Sequence, residues 1–110
     1  MSAELPTLPK AVQALVDAAN RGDTPAFLAG FTPDGVVDDW GREFRGAADI
    51  QGWSDTEFIG AEVALEVEEV ELDGTRTIVA ATVGGNGFNG PSTFTFTTVG
   101  GLVSRMMIRG

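Results

Sequence analysis

Residues 62–72 read EVALEVEEVEL, and this run constrains the fold more than any other. Val63, Leu65 and Val67 alternate with other residues as in a half-buried strand, but Val70 and Leu72 continue on the opposite parity. Side chains of a strand change face at every residue, so a single apolar face survives the switch only if the strand gains an odd residue. A β-bulge near Glu68-Glu69 is predicted, and bulges bend the sheet that carries them. Three further extended runs follow, at roughly 76–84, 91–99 and 102–109. Asp73-Gly74 joins the first pair and Gly100-Gly101 the last, both two-residue hairpin signals. GGNGFNGP forms a looser turn between the middle two. A long antiparallel sheet that bends around helices is an α+β layer arrangement.

The helices come earlier in the chain. Leu8, Val12, Leu15, Val16 and Ala19 recur at helical spacing, Pro9 suits a first turn, and Asn20-Arg21-Gly22 supplies a basic end and a stop. Asp23-Thr24-Pro25 caps a short second helix through Ala26, Phe27 and Leu28, which Gly30, Pro33, Asp34 and Gly35 break. VVDDWGREFRG reads as a hairpin around Gly41, and Ala47 to about Ile59 as a third helix stopped by Gly60. No repeat or linker divides the chain, so residues 1–110 are expected to be one domain.

Composition excludes whole classes of chemistry. The chain has no Cys, His or Tyr, which removes thiol nucleophiles, histidine acid/base work, His or Cys metal sites and tyrosine oxyanion donors. Side-chain catalysis is left to carboxylates, Arg, Ser/Thr, Lys10, or Trp and amide dipoles. A net charge of −9 repels phosphate backbones and anionic membranes, so no nucleic acid or membrane partner is expected. MSAELPTLPK lacks the basic start and apolar stretch of a leader, and a cytoplasmic location is the expectation. No cofactor or metal is expected either. The glycines of GGNGFNGP lie between strands, with no helix or Lys to complete a phosphate cradle. Asp34, Asp38 and Asp39 lack the alternation of a calcium loop. Asn86 and Asn89 read as turn residues that tolerate positive φ.

The stretch FTPDGVVDDWGREFRGAADIQGW, with this order of elements, resembles the nuclear transport factor 2-like superfamily, which includes ketosteroid isomerases and SnoaL-like polyketide cyclases. The resemblance implies a cone-shaped, cystatin-like α+β fold, with three helices in the concavity of a strongly bent antiparallel sheet. It also implies a homodimer through the sheet face, which Val103 and Met107, opposite Leu102 and Met106, would suit. In the isomerase branch an Asp ending the first strand is the general base. Ungapped matching of the Pro-Asp turn and the Arg-Gly places Asp39 there. The isomerases' oxyanion hole needs a Tyr and a protonated Asp; this chain has no Tyr, and PSTFTFTTV carries no acid. The cyclases' His is also missing, and no Asp-Arg-Asp trio like that of limonene epoxide hydrolase aligns.

Strand alternation puts Val37 and Asp39 on one face and Asp38 and Trp40 on the other. A carboxylate facing an apolar cavity suits proton transfer; capping of a hairpin amide or a place at a wet rim is the alternative for Asp39. Asp38 is expected to be solvated or paired with Arg42 or Arg45. On the third helix Ile50, Trp53, Glu57 and Phe58 share one arc. Glu57 there either projects into the cone toward Asp39, as a second carboxyl with a separate pKa, or pairs with Arg45 or Arg105, or frays into water. Trp53, Phe27, Phe31, Phe94 and Phe96 are the candidate ligand-contacting rings, and Trp40 is expected under a helix or at an interface. Two functions follow. One is an isomerase, cyclase or hydratase acting on a small, mostly apolar molecule, with Asp39 as general base and Glu57 opposite. The other is a non-catalytic ligand-binding or dimeric accessory module.

Overall fold

The structure, a computed structural model, describes residues 7–110. Residues 1–6, most of the stretch read as lacking a leader, lie outside the described residues. The elements run α1 (Lys10–Arg21), α2 (Thr24–Ala29), β1 (Phe31–Asp39), β2 (Arg42–Arg45), α3 (Gly46–Glu57), a 3-10 turn (Ile59–Ala61), β3 (Ala64–Asp73), β4 (Arg76–Gly84), β5 (Gly90–Val99) and β6 (Leu102–Arg109). None of the described helices is long and apolar enough to cross a membrane.

The helices end as their sequences dictate. Gly22 adopts φ 70° after α1, and the Asp23 carboxylate caps α2 by accepting from the Ala26 N–H at 3.1 Å. Asn20 ties the end of α1 to the sheet, donating to the Leu65 carbonyl and accepting its N–H. Helix α3 stops at Glu57 rather than Ile59. Gly60, expected to stop it, sits inside the following 3-10 turn, and Glu62 takes the left-handed conformation that turns the chain into β3.

All six strands form one sheet in the order β2-β1-β6-β5-β4-β3. The sheet is mixed rather than wholly antiparallel, because β1 runs parallel to β6. Hairpin signals are local, whereas this pairing joins segments far apart in sequence, and no local residue encodes it. The bulge in β3 lies where the parity switch demands it: Val67 pairs with Ala81 and Glu69 with Ala80, leaving Glu68 as the extra residue. Leu65, Val67 and Val70 therefore all pack against the core, while Leu72, on the same side of the strand, lies beyond it at 63% exposure. Pro33-Asp34-Gly35 interrupts β1 without ending it, since Phe31 pairs with Val103 and Val36 with Arg105. A third irregularity leaves Ser104 unpaired in β6, so Val103 and Met106, despite opposite parity, both turn inward at 0% and 1% exposure. Val103 is thus core, not the outward partner of Met107 that plain alternation suggests.

The hairpin turns are short. Gly100-Gly101 connects β5 to β6 with φ positive at both residues, while Gly74-Thr75, not Asp73-Gly74, forms the first loop because Asp73 pairs with Arg76. In the long loop the positive φ values fall on Gly85 and Gly90 rather than on the asparagines. A Cβ at Gly85 would lie 2.6 Å from the Glu62 carbonyl, so only glycine lets this loop dock on the 3-10 turn. The core between the sheet and helices includes Val12, Leu15, Phe27, Val37, Ile50, Val79, Phe96 and Met106.

Candidate active site

Strand β1 carries Val37 and Asp39 on the helix-facing side of the sheet, as alternation requires, with Val37 fully buried. Helix α3 brings Trp53 against them. Its indole is stacked between Phe44 and Phe58, with ring centroids 6.0 and 4.8 Å away, so only its edge is free to make polar contact. That edge donates its N–H to Asp39 Oδ2 at 3.0 Å. Arg42, across the β1–β2 turn, donates to the same oxygen at 2.6 Å. Asp39 Oδ1 has no protein partner, and no buried side-chain oxygen or nitrogen is left unpaired among the described residues, so Oδ1 is open. Asp39 lines a cavity, and its side chain is only 16% exposed.

Glu57 reaches the same cluster in a different role from the one expected. Its two oxygens accept from Arg42 at 2.7 and 3.0 Å, so Arg42 bridges Glu57 and Asp39. The Arg42 hydrogen bonds hold the Glu57 carboxyl below its ordinary value of 4.5, against the upward push of partial burial. Glu57 is therefore a carboxylate paired with Arg42, not a protonated acid across the cavity from Asp39, and its partner is neither Arg45 nor Arg105. The same contacts, Glu57 first, raise Arg42 and keep it charged. Its guanidinium lies 5.6 Å from the centroid of Phe44.

Asp38 takes the opposite face but is not solvated. It is 5% exposed, accepts from Arg105 at 2.7 Å and from Arg109 at 3.1 and 3.2 Å, and caps the Gly41 N–H at 2.8 Å. Arg109 foremost, then the Gly41 amide and Arg105, hold its carboxyl below the ordinary value against burial. The expected partners Arg42 and Arg45 lie elsewhere: Arg42 serves Asp39 and Glu57, and Arg45 reaches the Asp34 carbonyl.

The cavity has a volume of about 350 Å³, at the small end of the roughly 300–1,000 Å³ typical of ligand pockets. Trp53 and Phe94 line it, with Phe58, Val63, Val83 and Ile108 completing the apolar wall. Phe27, Phe31 and Phe96 do not line it. Phe27 and Phe31 meet edge-on at 5.3 Å in the core, and Phe96 stacks behind Phe94 at 6.2 Å. Most of the other lining residues were not singled out in the sequence as site residues, Ser92, Trp40 and Phe88 among them. Ser92 is 5% exposed and lines the cavity; the alternation of PSTFTF marks it as the one polar member of an apolar face. Trp40 and Phe88 stand at the cavity with 60% and 56% exposure, Trp40 being neither under a helix nor buried. Nothing in the sequence distinguishes Phe88 from a core phenylalanine.

A family model described as a SnoaL-like domain matches residues 12–106. The chain belongs to the SnoaL-like family. Its cone of helices on a bent sheet is the nuclear transport factor 2-like, cystatin-like fold. Among solved structures, this SnoaL-like chain is similar to a polyketide cyclase candidate from Sinorhizobium meliloti, at 32% identity and TM-score 0.82, over 93% of this chain and 95% of that one. A protein from Catenulispora acidiphila with a ketosteroid isomerase-like fold, solved in complex with trimethylamine, matches at 22% identity and TM-score 0.80 over 94% and 87% of the two chains. An NTF2-like protein of unknown function from Cytophaga hutchinsonii matches at 12% identity and TM-score 0.80 over 98% and 92%. The last two share the fold alone. No curated protein matches the SnoaL-like sequence.

Proposed function

We propose that the cavity binds a small, mostly apolar molecule and that Asp39 acts on it as general base, in a proton transfer of the isomerase, cyclase or hydratase kind. One observation carries this reading: Trp53 and Arg42 fix Asp39 through Oδ2 alone, which leaves Oδ1 without a protein partner on a residue that lines the cavity. Glu57 holds Arg42 in place and so positions the base from outside the reaction. The Ser92 hydroxyl is one donor for an oxygen of the substrate. The similarity to a polyketide cyclase candidate supports cyclic ketones and β-diketones as the compounds to try.

The test follows solvent deuterium into the α-carbon of such ketones by proton NMR. The wild type should accelerate exchange, Asp39→Asn should return it to the buffer rate, and Ser92→Ala should weaken it. Equal exchange in wild type and Asp39→Asn would overturn the general-base role. Retained binding without exchange would favour the second reading, a non-catalytic ligand-binding module, which the absence of His and Tyr supports.

The outer sheet face supports a homodimer as part of either reading. Ile78, Ala80, Thr93, Thr95 and Met107 form a half-buried, uncharged band there, with none of the described helices over it. A monomeric sedimentation profile at micromolar concentration would count against it.

A further inference from the structure

We propose that the polar end of the molecule this cavity takes is an organic cation, a protonated alkylamine, received at Asp39 Oδ1 between the rings of Trp40 and Phe88. The inference rests on the ligand-binding part of the reading above, not on its proton-transfer step, and names the chemistry of the ligand.

Charge is the first argument. Among the described residues, Asp39 and Glu57 are the only ionisable side chains lining the cavity. Arg42 bridges them from outside the lining, so two carboxylates face one guanidinium, and the cluster carries a net negative charge. Arg105 and Arg109, on the opposite face of the sheet, are engaged with Asp38 and cannot offset it. A small concave site with apolar walls concentrates that charge, repelling anions and favouring cations.

The second argument is the placement of the rings. Trp40 occupies a hairpin turn at φ 55°, followed by Gly41 at φ 92°. Such turns take Asn, Asp or Gly, because a bulky residue at positive φ is strained. The turn nevertheless holds a tryptophan, and leaves it more than half exposed. Phe88 is equally exposed, its ring resting 3.3 Å from where a Cβ of Gly90 would lie. Neither ring stacks on another aromatic, unlike Trp53, Phe58 and Phe94. Two large rings held in water at one cavity add nothing to the core. A strained backbone that persists at a cavity points to function, and exposed aromatic faces attract organic cations.

The third argument is already built into the site. The Arg42 guanidinium lies between two carboxylates and close to the Phe44 ring, so one organic cation is held there by this combination of groups. A ligand amine would use the unpaired oxygen of Asp39 and the two unpaired rings, with its apolar body against Phe94, Val83 and Ile108.

The test titrates the full chain with N,N-dimethylbenzylamine, protonated at neutral pH, with isobutylbenzene, which has the same skeleton with a neutral C–H in place of N–H⁺, and with phenylacetate. The Trp40 and Trp53 indole N–H resonances report binding. The amine should bind at least about tenfold more tightly than isobutylbenzene, weaken with added salt and shift the Trp40 signal, while phenylacetate should not bind. Asp39→Asn and Trp40→Leu should each erode the preference for the amine, and Trp40→Leu should leave the melting transition in place. Isobutylbenzene or phenylacetate binding as tightly as the amine would overturn the cation and leave the small-molecule reading standing. If none of the three binds, the inference falls, while the ketone exchange above decides the reading it rests on.

Discussion

Asp38 and Asp39 are neighbours in the chain whose carboxylates serve opposite faces of the sheet: Asp38 is held by Arg105 and Arg109, and Asp39 by Arg42 and Trp53. Asp38 also caps the Gly41 amide, and thereby fixes from behind the turn that presents Trp40 and aims Asp39. The buried member of the pair is the structural one.

Asp38→Asn should therefore cost about 2 kcal/mol of stability, since it strips a nearly buried carboxylate of charge-assisted bonds. The lower end of the range applies because Arg105 and Arg109 keep 37% and 40% side-chain exposure. Asp39→Asn should cost about 1 kcal/mol or less, because Asn still accepts from Trp53 and Arg42 is half exposed. Urea denaturation of both variants separates the two roles.

Acid should reveal the same contact. The folded pKa of Asp38 lies below the ordinary 3.8, so its stabilising contribution is complete above that value and fades as pH falls through the folded value. Glu57, also lowered, contributes in the same direction from its ordinary 4.5 downward. Melting temperature should fall below about pH 4.5, and the fall should be shallower in Asp38→Asn than in wild type.

Glu57→Gln distinguishes a positioning residue from a second catalytic acid. The Arg42–Glu57 bridge is exposed at both ends, 54% and 41%, so its loss should change stability by about 0.5 kcal/mol or less. Ketone exchange should fall by less than about tenfold, and the drop should be smaller still at high salt, where the ion pair is already screened. Complete loss of exchange would assign Glu57 a direct part in proton transfer.

The phenylalanines should divide sharply. Phe96→Ala removes a ring with 1% exposure and should cost about 3–5 kcal/mol. Phe88→Ala, at 56% exposure, should leave stability within about 0.5 kcal/mol and lower the affinity for a cavity ligand. Thermal melts paired with the indole titration check both.

Local pattern carried the fold a long way. The spacing of Val12, Leu15, Val16 and Ala19, the Asp23 cap, the Gly100-Gly101 turn and the parity switch at Glu68 each encode a feature that the structure contains. The parallel β1–β6 pairing and the extra residue at Ser104 depend on distant partners, and plain alternation misplaced Val103 for that reason. Within the site, alternation separated Asp38 from Asp39 and helical spacing brought in Trp53 and Glu57. It could not show that Arg42 bridges the two acids, because that contact joins a turn to the end of a helix. The phenylalanines were indistinguishable for a similar reason: which wall a ring joins is decided by its neighbours across the sheet.

The extra residue at Glu68 has a consequence for the chain's behaviour in a crowd. Strand β3 is an edge of the sheet, and beyond Leu65, whose N–H and carbonyl Asn20 takes, its outward backbone groups are available to a passing strand. Without the insertion, Val70 and Leu72 would turn outward, and Glu69 and Glu71 would be pressed over the helices. With it, Glu66, Glu69 and Glu71 stay on the outer side of an edge that is also kinked. Charge and a kink are two of the devices that stop edges from recruiting further strands into aggregates. One residue thus both curves the cone and keeps its free border from polymerising.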